Sequence, residues 1–251
     1  MTGVSDSLVI ATREVIRGLR EKSRLFGSIA RPVVWLFLLG TGLRGSFGGV
    51  AGVDYIHYIF PGILVMNILF ASIMAGTSII WDREFGFLKE ILVAPVSRIS
   101  IAVGKTLGGS IMSTIQGLIV LVFYPFIGIR LSIAQLTLTL CCMFLISFCI
   151  TALGILIAVR MRSFEGFGVM NNFVVMPMFF LSGAMYPINH VPVWIKILTR
   201  VNPVYYCVDL VRPVMLGLTP DNSIWANLGF LGVFATIVLG IAVFLFRLEG
   251  S

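Results

Sequence analysis

Charged residues are scarce in this sequence. Lysine, arginine, aspartate and glutamate make up 12 % of its 251 residues, whereas 58 % are hydrophobic. About a quarter of the residues in a soluble domain are charged, so this composition excludes a soluble enzyme and predicts several membrane spans. The net charge of +7 does not indicate nucleic-acid binding, because the basic residues stand between apolar runs, where they set membrane orientation.

Cysteine and histidine are also rare. Three of the four cysteines lie in one apolar run, 141–149, where a free thiol behaves as a small hydrophobe. Their spacing indicates neither a metal site nor a disulfide framework. The two histidines, His57 and His190, are not part of an HExxH pattern, which argues against a metalloprotease.

Motifs for nucleotide binding and for serine catalysis are incomplete. The Gly-Lys-Thr tripeptide at 104–106 resembles the end of a P-loop, but Ile99 stands where that motif needs its first glycine. Ser182 precedes a glycine as in intramembrane serine proteases, yet Phe180 replaces the glycine usually found two residues before such a serine. His190 lies in a predicted external segment, so the protease interpretation is weak.

The predicted spans have almost no ionisable residues near their centres. Proton-coupled and ion-coupled transporters usually carry intramembrane acids or histidines, so energy for uphill transport would enter from outside the membrane. We interpret the neutral polar groups as hydrogen-bond partners between helices rather than as substrate ligands. They are Asn67, Ser72, Thr77, Ser110, Ser113, Gln116, Ser147, Thr151, Asn171 and Asn172.

Six apolar runs approach the length of about 20 residues that a helix needs to cross a bilayer. They cover residues 26–43, 57–81, 101–129, 131–159, 167–185 and 224–246. The third and fourth are joined by a predicted tight hairpin at 128–130. The sequence therefore predicts an all-α membrane protein with a single transmembrane domain over 1–251, and six spans place both termini on one side.

The basic residues indicate which side that is. Thirteen of the 18 lysines and arginines fall on the face that carries the termini, and five on the other. By the positive-inside rule the richer face is cytoplasmic. We therefore expect both termini in the cytoplasm, with the chain spanning the cytoplasmic membrane.

Residues 1–25 predict an amphipathic helix at the membrane surface. Arginines recur along one side at Arg13, Arg17, Arg20 and Arg24. The opposite side carries Leu8, Ala11, Val15 and Leu19. Such a helix rests among lipid headgroups with its arginines toward anionic lipid or a partner. A simple positive-inside anchor explains the same pattern equally well.

Residues 82–98 are a charged segment between two long apolar runs. Phe85, Leu88 and Leu92 share one helical stripe, and Pro95 ends the pattern. A short amphipathic helix between two spans lies at the water interface. It is either a solvated connection or a docking helix for a cytosolic partner.

Residues 186–223 are unusually apolar for a loop. The runs 193–198 and 205–211 are too short to span and are separated by prolines, which suits helices that re-enter the membrane from outside. Asp209 and Arg212 are three residues apart, so on a helix they share a face and can pair.

Two motifs resemble the permeases of ABC-2 type ABC exporters, a group that includes daunorubicin-type drug exporters and nodulation-factor exporters. Residues 84–98 read E-F-G-F-L-K-E-I-L-V-A-P-V-S-R, similar to the family's E-x-G-T-L-E-x-L-L-V-T-P-V-x-R, with departures at Phe87, Lys89 and Ala94. Residues 181–187 read L-S-G-A-M-Y-P and precede a family-like pattern of proline, tryptophan, Asn-Pro, aspartate and arginine. The likeness covers essentially the whole chain.

The resemblance implies a permease that is not itself an enzyme. Two permeases pair, with a second copy or a related chain, and each docks a separate ATPase that binds ATP and Mg²⁺, so no cofactor, metal or catalytic residue is expected in this chain. The implied ATPase-coupling residues are Arg83, Glu84, Phe85, Gly86, Leu88, Glu90, Pro95 and Arg98, with the arginines of the N-terminal helix. The implied external gate comprises Ser182, Gly183, Pro187, Pro192, Trp194, Asn202, Pro203, Tyr205, Asp209 and Arg212.

The expected cargo is amphipathic, lipid-like or drug-like, because the spans are neutral and partly aromatic. The alternative cargo is a lipid-linked oligosaccharide or polysaccharide. A different class of function, a membrane scaffold or a secondary transporter that works alone, would have no partner ATPase.

Overall fold

The computed structural model describes residues 3–42, 49–50, 52–86, 96–161, 163–188 and 191–249. Over these residues the chain is almost entirely helical, which confirms the all-α class. The one small sheet among them is a two-stranded antiparallel hairpin that pairs Gly49 with Asp54 and Val50 with Val53.

The helices follow the chain in a simple order. They are α1 (Gly3–Arg20), α2 (Lys22–Gly42), α3 (Tyr55–Ala75), α4 (Thr77–Glu84), α5 (Arg98–Leu121), α6 (Ile133–Arg160), α7 (Phe164–Met170), α8 (Met176–Phe180), α9 (Val193–Val201), α10 (Pro203–Leu216) and α11 (Ile224–Glu249). A 3₁₀ turn (Pro125–Ile127) follows α5, and a π-helical turn (Asn171–Val175) joins α7 to α8. Strands β1 (Gly49–Val50) and β2 (Val53–Asp54) precede α3.

Four helical stretches in the described part of the chain are long and apolar enough to cross a membrane. They are Tyr55–Glu84, Arg98–Ile127, Ile133–Arg160 and Ile224–Leu248. These agree within a few residues with the second, third, fourth and sixth predicted spans. The first predicted span corresponds to α2, whose apolar stretch, Leu25–Leu38, is shorter, so the count of six spans stays a prediction.

The fifth predicted span ends earlier than expected. Its helix runs from α7 through the π turn to Phe180, not to Met185. Gly183 has a φ of 69°, in the left-handed region that glycine adopts without a steric penalty, and it turns the chain away from the helix axis.

The predicted tight hairpin after the third span is confirmed. Gly128 has a φ of 86° and closes the 3₁₀ turn, with its N–H donating to Pro125 O. Four residues later α6 begins with a capping box, in which Ser132 and Gln135 satisfy each other's backbone N–H groups. Each end of this short connection is therefore encoded locally.

Helix α3 is the centre of the bundle. Every residue from Tyr58 to Ile73 is buried, so the helix is enclosed on all sides, as expected for one that is apolar all round. It packs against α2, α5, α6 and α10. Close approach is possible because Gly62 lacks a side chain: a Cβ there would lie 2.5 Å from the backbone O of Ala184.

Helix α1 lies along the first half of α5 and runs in the same direction. Small residues allow this contact, since a Cβ on Gly104 would lie 2.7 Å from Ser7 O and one on Gly108 2.6 Å from the Cβ of Glu14. At its start, Ser100 Oγ donates to Gly3 O at 2.9 Å. The predicted helix over 1–25 is wrong at its end, because α1 stops at Arg20 and Arg24 belongs to α2.

Candidate functional site

The charged segment 82–98 does not begin as a separate helix. Asp82, Arg83 and Glu84 are the last turn of α4, which continues the second span, so the predicted start at Asp82 is wrong. The helix ends because Gly86 takes a φ of 77°. Arg98 is the first residue of α5, whose N-terminus is capped by Ser97 Oγ, 3.0 Å from the Ser100 N–H.

Of the other predicted coupling residues, some lie outside the described part of the chain and two are exposed. Leu88, Glu90 and Pro95 lie outside the described residues, as do the three departures from the family motif. Glu84 and Phe85 are exposed at the end of α4, and the ring of Phe85 stacks on that of Trp81 with centroids 5.3 Å apart. Their contact with an ATPase stays a prediction.

Arg83 points toward the bundle. Its guanidinium donates to Val159 O at 2.9 Å and also to Met161 O, at the end of α6. These carbonyls are at a helix C-terminus, where intrahelical donors are missing and cations are favoured. Arg83 therefore ties the ends of α4 and α6 together and positions the exposed turn that follows it.

A buried charge cluster joins α1, α4 and α5. Lys105 Nζ lies 2.5 Å from Asp82 Oδ2 and 2.9 Å from Glu14 Oε1. The Lys105 and Asp82 side chains are 1 % and 3 % exposed, so Lys105, one of the 13 basic residues assigned to the cytoplasmic face, lies inside the bundle. Glu14 and Asp82 are 68 residues apart, so no local sequence pattern predicts that both contact Lys105. We call Glu14, Asp82 and Lys105 the charge cluster.

The arginine stripe faces partly inward. Arg13 and Arg17 each place a guanidinium nitrogen 3.4 Å from Asp82 Oδ1, and Arg17 also lies 3.7 Å from Glu21. Arg20 is exposed at the end of α1. Arg13 and Arg17 therefore also contact Asp82 within the chain, and the lipid-facing or partner-facing role of the four arginines stays a prediction.

The apolar side of α1 packs only in part against the rest of the chain. Ala11 is buried against α5, but Leu8 and Leu19 are 57 % and 46 % exposed. The buried face consists of small residues, Ser7, Ala11 and Gly18, since close packing on α5 excludes large side chains. The larger apolar residues point away from this chain.

The chain after α8 folds back on itself through side-chain hydrogen bonds. Ser182 Oγ is buried, donates to Phe179 O at 2.5 Å and accepts from the Ala184 N–H at 3.3 Å, so it is a structural residue. Asn202 donates to Met178 O at 2.5 Å. Pro187 is half-buried in this turn, and His190 lies outside the described residues.

Both predicted short helices after this turn are present. Pro192 precedes α9, which exposes 62 % of Trp194. Asn202 caps α10 by accepting from the Val204 N–H at 3.0 Å, and Pro203 is the first residue of α10, where its missing N–H costs nothing. With 14 residues, α10 is too short to cross a bilayer, and its re-entry from outside stays a prediction.

Asp209 anchors the loop before α11. Its carboxylate accepts from the backbone N–H of Asp221 at 2.8 Å and of Asn222 at 2.9 Å. The side-chain amides of Asn222, at 3.2 Å, and Asn227, at 2.9 Å, also donate to it. Asn222 further donates to the Tyr205 hydroxyl at 3.1 Å. Burial, with Asp209 nearby, raises the pKa of Asp221.

Arg212 has different partners, so the predicted ion pair with Asp209 is wrong. Its guanidinium donates to Gly183 O at 2.9 Å and Ala184 O at 3.2 Å, and it lies 4.0 Å above the ring of Tyr58. The i,i+3 spacing does not bring the two charges together, because one reaches toward the start of α11 and the other toward the turn after α8.

The interpretation of the mid-span polar groups is confirmed in part. Asn67 donates to Gln116 O at 3.0 Å and so connects α3 to α5. Ser110 and Ser113 instead donate to carbonyls of their own helix, where a hydroxyl four residues along can always reach. Sequence alone does not distinguish these two outcomes.

Comparison with known proteins gives consistent results. The profile described as ABC-2 type transporter matches residues 7–216. A transport permease, ycf38, from Cyanophora paradoxa is 30 % identical over 213 residues, covering 83 % of this chain and 73 % of that protein. Nodulation protein J from Rhizobium meliloti is 27 % identical over 89 % of this chain and 85 % of its own. The multidrug ABC transporter permease YbhR of Escherichia coli is 27 % identical over 77 % of this chain and 53 % of its own length.

Proposed function

Because this chain belongs to the ABC-2 type transporter family, we propose that it is the permease of an ABC exporter whose ATP is hydrolysed by a separate subunit. The observation that carries the proposal is the junction of α1, α4 and α5. The buried charge cluster fixes these helices to one another, directly before an exposed Glu84–Phe85 turn that a cytosolic partner can reach.

This junction is suited to transmit movement. A partner that pulls on residues after α4 acts on Asp82 within one helical turn, and Asp82 is bonded to Lys105 of α5. Arg83 simultaneously holds the end of α6. ATP-driven displacement of one short segment would therefore move three spans together, as alternating access requires.

We further propose six spans with both termini in the cytoplasm of a bacterial cell. Beyond the four long apolar helices, α2 and the continuous helical stretch of residues 164–180 supply the other two. The support is the 13-to-5 division of basic residues and the 21-residue length of α2. Two such permeases would enclose a pathway that α9 and α10 close on the outer side.

Thiol labelling tests this orientation. In a cysteine-free background, Ser97→Cys and Ser163→Cys should be shielded from a membrane-impermeant maleimide in intact cells, because both lie on the proposed cytoplasmic face. Thr219→Cys, which is exposed after α10, should label and serves as the positive control. Labelling of Ser97→Cys from outside at the rate of Thr219→Cys would reverse the topology.

Charge reversal tests the docking surface. Glu84→Lys combined with Glu90→Lys should leave insertion unchanged but reduce co-purification of the partner ATPase by at least about tenfold, since charge pairs across an interface contribute up to several kcal/mol. Glu165→Lys is the matched control, an exposed glutamate on the same proposed face. Wild-type co-purification by the double variant would remove the docking role of this segment.

The proposed cargo is an amphipathic, lipid-like or drug-like molecule. The support is a bundle whose interior polar groups near mid-span are neutral amides and hydroxyls, which suit a large, weakly polar molecule better than an inorganic ion. The experiment is to delete the gene that encodes this chain, extract lipids and metabolites from the cells, and identify the compound that accumulates. Accumulation of a lipid-linked glycan would favour the alternative cargo.

A further inference from the structure

A cleft of about 380 Å³ opens between α2, α3, α4 and α5. The residues of its wall that matter here are Arg31, Asn67, Phe70, Met74, Trp81 and Gln116. Its polar and apolar surfaces are about equal, whereas the groove between α6 and α11 is mainly apolar. None of the three residues of the charge cluster lines it.

One end of the cleft contains a side-chain amide, that of Gln116, whose donor has no acceptor within the described residues. Gln116 is 3 % exposed, and no acceptor among the described residues lies within hydrogen-bond reach of its Nε2. An unmade hydrogen bond of a buried amide costs about 1–3 kcal/mol. The neighbouring Asn67 does not relieve it, since Asn67 donates to the backbone O of Gln116.

A cation stands at the same end. The guanidinium of Arg31 lies 4.5 Å from the centroid of the Phe70 ring, and no carboxylate in the described part of the chain pairs with it. A guanidinium presents five donors in a planar fork, which matches phosphate and carboxylate groups. Together with the Gln116 amide it forms a region that selects an anionic acceptor.

The rest of the cleft is apolar and elongated. Phe70, Met74 and Trp81 follow one another along α3 and α4, and Met74 and Trp81 are each 41 % exposed. From Asn67 to Trp81 the helices rise roughly 20 Å, at about 1.5 Å per residue. This length suits a hydrocarbon chain rather than a small solute.

The second charged residue of the cleft wall, Glu21, lies at the opposite end from Arg31 and is paired with an arginine. Glu21 lines the end near Trp81, and its carboxylate lies 3.7 Å from Arg17. The Arg31 end therefore keeps a local positive charge. A cationic molecule would leave the Gln116 amide and the Arg31 guanidinium without an anionic acceptor, and a zwitterion would bring a second positive charge close to Arg31.

We propose that this cleft binds an elongated anionic amphiphile, with its phosphate or carboxylate head against Arg31 and Gln116 and its apolar body along Phe70, Met74 and Trp81. The acceptor oxygens satisfy the buried amide, and the chain covers apolar surface that is otherwise exposed. The inference concerns binding alone, so it holds or fails independently of ATP-driven transport. The occupant is either a bilayer phospholipid or a single-chain anionic molecule on its way through the protein.

The test measures binding to the purified protein in a neutral maltoside detergent. Native mass spectrometry and thermal unfolding are followed while oleoyl phosphate, dioleoylphosphatidylglycerol or dioleoylphosphatidylcholine is added. We expect the two anionic probes, but not the zwitterionic one, to bind and raise the Tm. Tighter binding of phosphatidylglycerol assigns the cleft to a bilayer lipid, and tighter binding of oleoyl phosphate assigns it to a single-chain ligand.

Two variants separate a ligand site from a structural feature. Gln116→Met keeps the backbone O that Asn67 uses and removes the unpaired donor, so the unliganded protein should unfold at the same or a higher temperature. It should nevertheless bind the better anionic probe at least about tenfold more weakly. Arg31→Gln should weaken binding by a similar factor, whereas Arg160→Gln, an exposed arginine at the end of α6, should not.

The outcomes that overturn the proposal are equally specific. Equal binding by the parent and both cleft variants would show that the probes bind elsewhere, and so would an Arg160→Gln variant that loses as much affinity as Arg31→Gln. Binding of phosphatidylcholine as tight as that of either anionic probe would remove the anion preference. If Gln116→Met fails to fold, the comparison of Arg31→Gln with Arg160→Gln decides the question.

Discussion

Replacing Lys105 by methionine should lower the free energy of unfolding by about 3–5 kcal/mol, the usual cost of removing one partner from a buried ion pair. The side chains of Glu14 and Asp82 would then be left buried beside an apolar group. Methionine preserves most of the side-chain volume, so the loss reports charge rather than packing. The measurement is equilibrium unfolding of the purified protein in detergent.

A double variant identifies the cause. Combining Lys105→Met with Glu14→Gln removes one of the two carboxylates, so it should recover part of the lost stability, and the two substitutions should be strongly non-additive. Glu21→Gln is the control, because its carboxylate is 43 % exposed and such surface pairs contribute at most about 1 kcal/mol. A Lys105→Met cost as small as that of Glu21→Gln would show that the cluster does not hold α1 in place.

The same variant should uncouple transport. If the charge cluster makes α1 and α4 move together, its loss should interrupt coupling. Lys105→Met should then leave ATPase association intact but reduce the stimulation of ATP hydrolysis by cargo. This separates it from the Glu84→Lys, Glu90→Lys variant, for which we expect loss of association itself. The two defects together would divide the path of coupling into a docking step and a transmission step.

Hydrophobic run length predicted most of the bundle, because a helix in lipid must satisfy every backbone group internally and expose apolar side chains. The spans over 57–81, 101–129, 131–159 and 224–246 therefore agree with the structure within a few residues. Gly128 and the Ser132 capping box made the hairpin between two of them predictable as well. These features depend on local chemistry that a single sequence contains.

The interior charges were not predictable in the same way. Lys105 reads as one more cation of the cytoplasmic face, since nothing local shows that Glu14 and Asp82 come within bonding distance of it. The packing of α1 on α5 was not predictable for a related reason. Its small face packs on α5 because glycines at 104 and 108 leave room, and that complementarity belongs to two helices about 90 residues apart.

At the proposed outer gate, the residues were predictable but their partners were not. Asp209 and Arg212 lie on the predicted short helix, where Asp209 is buried and Arg212 is half-buried, and their role in a gate stays a prediction. Their separation came from the rest of the fold, which brings Asn227 to one and the Gly183 carbonyl to the other. A spacing rule describes which side chains share a helix face, whereas tertiary contacts decide what each one binds.

Exchanging these two charges should therefore be at least as damaging as removing either. In the variant Asp209→Arg with Arg212→Asp, an arginine faces the N–H groups of Asp221 and Asn222, and an aspartate faces two carbonyl oxygens. Every new contact is repulsive. Asp209→Asn and Arg212→Met should each cost about 2–4 kcal/mol, since hydrogen bonds to charged groups contribute about 1.5–3 kcal/mol each, and the exchange should cost close to their sum or more.

The measurement is thermal unfolding together with export by membrane vesicles. Arg200→Met is the control, an exposed arginine at the end of α9 that should change stability by less than about 0.5 kcal/mol. If the charge exchange restores stability lost in the single variants, the two side chains act as a direct pair and the separate anchors fail. If instead each single variant keeps its fold but loses export, the two anchors hold α10 in the position that closes the pathway, because one joins it to the α11 loop and the other to the turn after α8.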